Sequence, residues 1–207
     1  MIRTIRLRLS LIFLAALTAA VSTAPAIEPE SAGILADRAK LDMATGKFIE
    51  AEALFQQALQ ITQNSFGTEY PETIKSMRDL GVFYVEVGEF AKAEPYLRQA
   101  FEISRKLFGP THGETARGCY TLGMLYLSLG DYAKAEPILL EALAIAKQAF
   151  GTKHPQTLRM LHDLGILYQE LGDEKRAELY LLQSLELEQT APAELLRRRL
   201  CLADAMP

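Results

Sequence analysis

The chain has no tryptophan, two cysteines and three histidines, and these shortages remove most routes to chemistry. No His-Glu-x-x-His, Cys-x-x-Cys, Gly-x-Ser-x-Gly or glycine-rich phosphate loop occurs. Such arrangements hold a zinc ion, a reactive thiol pair, an activated serine or a nucleotide phosphate. The acidic residues form no paired set beyond ordinary surface charge. An enzyme is therefore not expected, nor is a cofactor or a metal; an enzymatic reading would have to start from Cys119 or His162. A basic excess is missing too. Lys and Arg number 22 against 26 Asp and Glu, a net charge of −4, which leaves no footprint for nucleic acid.

A long apolar run is also absent. Leu9 to Val21 spans 13 residues, where a membrane-crossing helix needs roughly 20. Arg3, Arg6 and Arg8 precede this run, and the small residues Ser22-Thr23-Ala24-Pro25-Ala26 follow it. A positive start, a short apolar core and an Ala-x-Ala exit predict a cleaved secretory signal peptide over residues 1–26, in preference to a membrane anchor. Cleavage after Ala26 leaves 181 residues with 19 Lys and Arg against 26 Asp and Glu, a net charge of −7. No cysteine stands at the exit to carry a lipid. The expectation is a soluble exported protein, periplasmic or secreted, of bacterial origin and without a membrane span after cleavage.

What the chain does have is repetition. Gly46, Gly88, Gly130 and Gly172 recur every 42 residues. Each opens a run of one design, such as Asp131-Tyr132-Ala133-Lys134-Ala135-Glu136-Pro137. Phe66-Gly67, Phe108-Gly109 and Phe150-Gly151 follow, and then a Thr leads an apolar stripe ending in Leu-Gly and Tyr. A period of this length marks a stack of small supersecondary units, none able to bury its apolar face alone. In the third unit, Thr115 to Ser128 reads as one helix and Tyr132 to about Ala149 as a second, from apolar residues at three- and four-residue spacing. Asp131 is placed to cap the second helix, and Gly151 to end it. Gly123, Ala135 and Ala142 are expected to let the paired helices approach closely, beside Tyr126. Pro95 and Pro137 fall about six residues into their helices, where a kink or a looser first turn is expected.

Leu122-Gly123-x-x-Tyr126, then Gly130-Asp131-Tyr132-x-x-Ala135 and the later Ala142, resemble the tetratricopeptide repeat. The 42-residue spacing with Ala135-Glu136-Pro137, Phe150-Gly151-Thr152-Lys153-His154-Pro155 and Thr157 is similar to its kinesin-light-chain type, over about residues 33–190. The resemblance implies an all-α fold, a right-handed superhelical solenoid of antiparallel helix pairs, used to hold another protein. Four segments follow: a signal peptide at 1–26, a linker and degenerate first helix at 27–45, the repeat array at 46–190, and a capping helix and tail at 191–207. Ile34, Leu35, Ala39, Leu41 and Met43 are the apolar residues of the degenerate helix. Cys119 shares its register with Met77 and Leu161, a core position. Cys201 lies about four helices further on, roughly 20 Å or more away against a disulfide limit near 7 Å. Both are expected as free thiols.

In such arrays the first helix of each unit lines the concave face. Adding 42 yields its rows: Lys75, Arg117 and Arg159; Asp79, Thr121 and Asp163; Arg78, Tyr120 and His162; Val82, Met124 and Ile166. The resemblance implies asparagine in the second row, contacting a bound peptide backbone; aspartate accepts hydrogen bonds but cannot donate them. Local pairing of Lys75 with Asp79 and of Arg159 with Asp163 is the bland account of the basic row, but Arg117 faces Thr121 and has no such partner. His112 and His154 share a loop position with Tyr70, so packing or hydrogen bonding in the turn is expected of them. The favoured reading is a non-catalytic adaptor binding an extended, acidic segment of a partner protein in this groove. The alternative is a structural element that self-associates.

Overall fold

The computed structural model describes residues 30–188, which form eight α-helices without a strand among the described residues. In chain order they are α1 (Glu30–Ala44), α2 (Phe48–Phe66), α3 (Pro71–Glu86), α4 (Phe90–Phe108), α5 (Gly113–Ser128), α6 (Tyr132–Phe150), α7 (Pro155–Glu170) and α8 (Glu174–Glu188). They pair as α1–α2, α3–α4, α5–α6 and α7–α8, and each pair packs on the next. The expected signal peptide at 1–26, the start of the linker and the expected capping helix at 191–207 lie outside the described residues.

The turn inside each pair explains the glycine register. Gly130 sits at φ 71°, its N–H bonds Leu127 O at 3.0 Å, and the Asp131 N–H bonds Tyr126 O at 2.9 Å. This is a Schellman ending, which needs a left-handed residue. The same two bonds recur around Gly46, Gly88 and Gly172. Asp131 then starts the second helix as its N-cap, accepting from the Lys134 N–H at 3.3 Å as the sequence predicts.

Small residues set the helix spacing. A Cβ added at Gly123 would lie 2.6 Å from Leu139 Cδ2, and Gly81 and Gly165 meet Leu97 and Leu181 as closely. Ala93, Ala135, Ala100 and Ala142 are fully buried opposite them. The expected kinks at Pro95 and Pro137 do not break α4 or α6, which run through both residues. Both prolines lie on the exposed face, as do Ala91 and Ala133 four residues earlier, so the carbonyls that lose a partner reach water. The first turn adapts, the second of the two expected outcomes, through i→i−3 bonds from Lys92 to Glu89 and from Lys134 to Asp131.

A second repeated device joins neighbouring units. The Tyr84, Tyr126 and Tyr168 hydroxyls donate to Glu52, Glu94 and Glu136 of the preceding unit at 2.8–2.9 Å. Lys92, Lys134 and Arg176 lie over the same rings, at 5.4, 5.3 and 4.2 Å. Burial, and then hydrogen bonding to the glutamate, push the Tyr84 and Tyr168 phenols up to about 12.

The first helix packs mainly through small residues. Its buried residues are Ala32, Ala36, Ala39 and Asp42, whereas Ile34 and Leu41 are 70% and 59% exposed. Their face is the one that later units turn toward a preceding unit.

Candidate functional site

Across unit boundaries each second helix packs on the next first helix, and of like helices only α3 and α5 make a contact of note. The inner face is therefore built from α1, α3, α5 and α7, and the four sequence rows lie on it. Val82, Met124 and Ile166 are half-buried there. The three other rows are threaded by polar contacts that run from unit to unit.

Lys40 of α1 lies 3.6 Å from Asp79 of α3. Arg78 of α3 donates to Glu114 of α5 at 2.9 Å, with the arginine side chain only 13% exposed. Glu114 also holds Arg117, whose Nε donates to Gln156 of α7 at 3.1 Å and whose guanidinium lies 5.5 Å from the Phe150 ring centre. The Tyr120 hydroxyl donates to Asp163 of α7, and His162 Nδ1 is 3.5 Å from the same carboxylate. Thr121 turns its hydroxyl back to the Arg117 and Gly118 carbonyls.

Two expectations change here. Arg117 is not the unpaired member of the basic row: Glu114, one turn back on α5, claims it. The pairs Lys75–Asp79 and Arg159–Asp163 do not form, because Asp79 faces Lys40 and Asp163 takes the Tyr120 hydroxyl. Lys75 and Arg159 are left exposed, with no carboxylate partner among the described residues. Asp79 Oδ2 is buried and accepts no hydrogen bond, since Lys40 stands beyond hydrogen-bond reach.

The electrostatics follow. Burial pushes the Glu114 carboxyl up, but the charges and hydrogen bonds of Arg78 and Arg117 outweigh it and hold the group below its usual 4.5. Burial, and then Asp163, drive the Tyr120 phenol far above its ordinary value. Cys119 is fully buried, its thiol 3.3 Å from the Ile138 carbonyl oxygen and pushed up to about 12 by burial. A thiol so placed is no nucleophile at neutral pH; Cys201 lies outside the described residues. Among the described residues, no group of three or more His, Cys, Asp or Glu could hold a metal ion, and no helix is long and apolar enough to cross a membrane.

The turn histidines act as the sequence predicts. His112 and His154 accept the Glu114 and Gln156 N–H groups through Nδ1 at 3.1 and 3.2 Å. Their rings stack on Phe108 and Phe150 at 4.8 and 4.7 Å, as Tyr70 stacks on Phe66 at 4.6 Å. Sequence reasoning missed Lys40, Glu114 and Gln156. Glu72, Glu114 and Gln156 form a row three residues before the basic one, and that spacing was the available signal.

A family model described as tetratricopeptide repeat matches residues 30–106, 80–148 and 114–189. No curated protein matches the chain in sequence. Among solved structures, BtubC (BKLC) from P. vanneervenii is similar at 23% identity and TM-score 0.69, over 80% of this chain and 68% of that one. A kinesin-light-chain-type protein of Podosopora anserina with nearly identical TPR-like repeats shares 24% identity and TM-score 0.69, over 81% and 80%. A Rap protein complexed with competence and sporulation factor shares 21% identity and TM-score 0.68, over 78% of this chain and 43% of that one.

Proposed function

Because the chain belongs to the tetratricopeptide-repeat family, a family of protein-interaction modules, we propose that it is an exported, non-catalytic adaptor whose concave face holds an extended acidic segment of a partner protein. One observation carries this reading: the groove cations divide into two classes. Lys40, Arg78 and Arg117 are engaged by Asp79 and Glu114 within the array, whereas Lys75 and Arg159 have no carboxylate of their own. The engaged cations order the floor; Lys75, and Arg159 apart from its hydrogen bond with the Tyr120 hydroxyl, are left for a ligand carboxylate. The remaining residues of the four rows support the same surface. Val82, Met124 and Ile166 offer apolar contact, and Tyr120, Thr121, His162 and Asp163 a polar middle. Asp79 Oδ2 is buried beside Lys40 and belongs to the floor, not to the surface a ligand would meet. The Rap neighbour, of the same fold, was solved with a bound factor.

A peptide library selected on the chain tests this. Acidic segments should be enriched, and Lys75→Ala/Arg159→Ala should weaken them roughly three- to tenfold, since each exposed pair is worth about 0.2–1 kcal/mol. The loss should shrink as salt rises. Equal binding by the double variant at low salt contradicts the groove assignment. Export rests on residues 1–26 and is tested by the intact mass of the protein recovered outside the cytosol. A chain starting at Ile27 supports it, and an unprocessed chain retained in the cytosol overturns it.

A further inference from the structure

The outer face of α1 has the address of an interface. By the 42-residue register, Leu41 corresponds to Phe83, Leu125 and Leu167, which are 0–2% exposed. Ile34 corresponds to Ser76, Gly118 and Met160; the first and last are 9% and 3% exposed, and a Cβ on Gly118 would lie 3.0 Å from Phe101 Cα. Phe83 packs on Phe55 of α2, and Gly118 lies against Phe101 of α4, each on the second helix of the unit before. On α1 the same positions keep large apolar side chains, yet stand open.

The residues between them choose the occupant. Asp37 and Arg38 lie three and four residues after Ile34, on the same stripe; each pairs within α1, with Lys40 and Asp42, yet their side chains remain 82% and 62% exposed to a second copy. Two α1 helices laid antiparallel about a twofold axis between residues 37 and 38 place Ile34 of one copy opposite Leu41 of the other. The same axis sets Asp37 opposite Arg38, twice. The stripe is thus complementary to itself in both shape and charge, as an isologous contact requires.

Head-to-tail stacking on α8 fits worse. Glu52, Glu94 and Glu136 each receive a tyrosine hydroxyl from the next first helix. Glu178 is the next in that series, but at the tyrosine position α1 carries Asp42. Stacking α1 on α8 would set Glu178 against a buried carboxylate that Arg38 already holds and that has no hydroxyl to donate. We infer that the chain forms a twofold dimer through antiparallel α1 helices, leaving both grooves outside the joint.

Sedimentation of the protein as recovered from cells, across micromolar concentrations, tests this. A monomer–dimer equilibrium is expected. Ile34→Lys or Leu41→Glu alone should raise the dimer dissociation constant roughly tenfold or more, with the helical circular dichroism unchanged because both positions are exposed. Mixing the two variants should restore dimers, since the Ile34→Lys side chain of one copy then faces the Leu41→Glu side chain of the other. A monomer at every concentration overturns the inference, whether or not the residues before α1 cover the stripe. So do open-ended oligomers, or a dimer that either variant leaves intact.

Discussion

Glu114 holds more of the inner face in order than any cation does, because Arg78 and Arg117 both depend on it. Its carboxyl sits below 4.5 in the folded protein, so the folded state binds the proton less readily than the unfolded chain. The stability it contributes is complete above the unfolded value and fades as pH falls through the folded one. The melting temperature should therefore drop on acidification below about pH 4.5. Glu114→Gln should cost about 1–2 kcal/mol at pH 7 and make part of that acid loss disappear, which thermal melts across pH would show. Glycines divide just as clearly. Gly123→Ala drives a methyl into Leu139 and should cost about 1–3 kcal/mol. Gly33→Ala, with nothing within 4 Å on α1, should stabilise by about 0.5–1 kcal/mol. Chemical denaturation of both variants checks the contrast.

Helix starts vary within one register and so form an internal experiment. Lys47, Glu89, Asp131 and Asp173 are equivalent, but only Asp131 and Asp173 accept a helix N–H through the side chain, at 3.3 and 3.0 Å. Lys47→Asp should supply the missing cap of α2 and raise the melting temperature by about 2–4 °C, and Asp131→Ala should lower it by a similar amount. At this scale the sequence was most legible. Periodicity placed α5 and α6 to within two residues, and glycine, aspartate and proline marked their ends. It read less well where solvent decides. Periodicity alone did not say whether a kink or a looser first turn would meet Pro95 and Pro137, where the carbonyls four residues earlier are exposed and the first turn takes i→i−3 bonds. The apolar residues of α1 could not be divided into core and surface without knowing that no unit precedes it among the described residues.

Across the whole array, the stacking of units was readable from the 42-residue period, but the wiring of the inner face was not. Arg78 reaches Glu114 and Arg117 reaches Gln156 across 36 and 39 residues, separations that follow no helical spacing and depend on how one unit leans on the next. Helical spacing alone therefore assigned Lys75 and Arg159 to partners that the neighbouring unit had already taken. That wiring leaves Lys75 and Arg159 as the groove cations without a carboxylate, Arg159 bonded to the Tyr120 hydroxyl, and it motivates the central claim that partners bind the first helices. The most direct test is a photo-crosslinking amino acid placed in turn at Val82, Met124 and Ile166, and at Gln57 and Gln99, which are exposed on the second helices. With a library-selected acidic peptide, crosslinks are expected from the first three positions and not from the other two. Crosslinking confined to Gln57 and Gln99 would contradict the account.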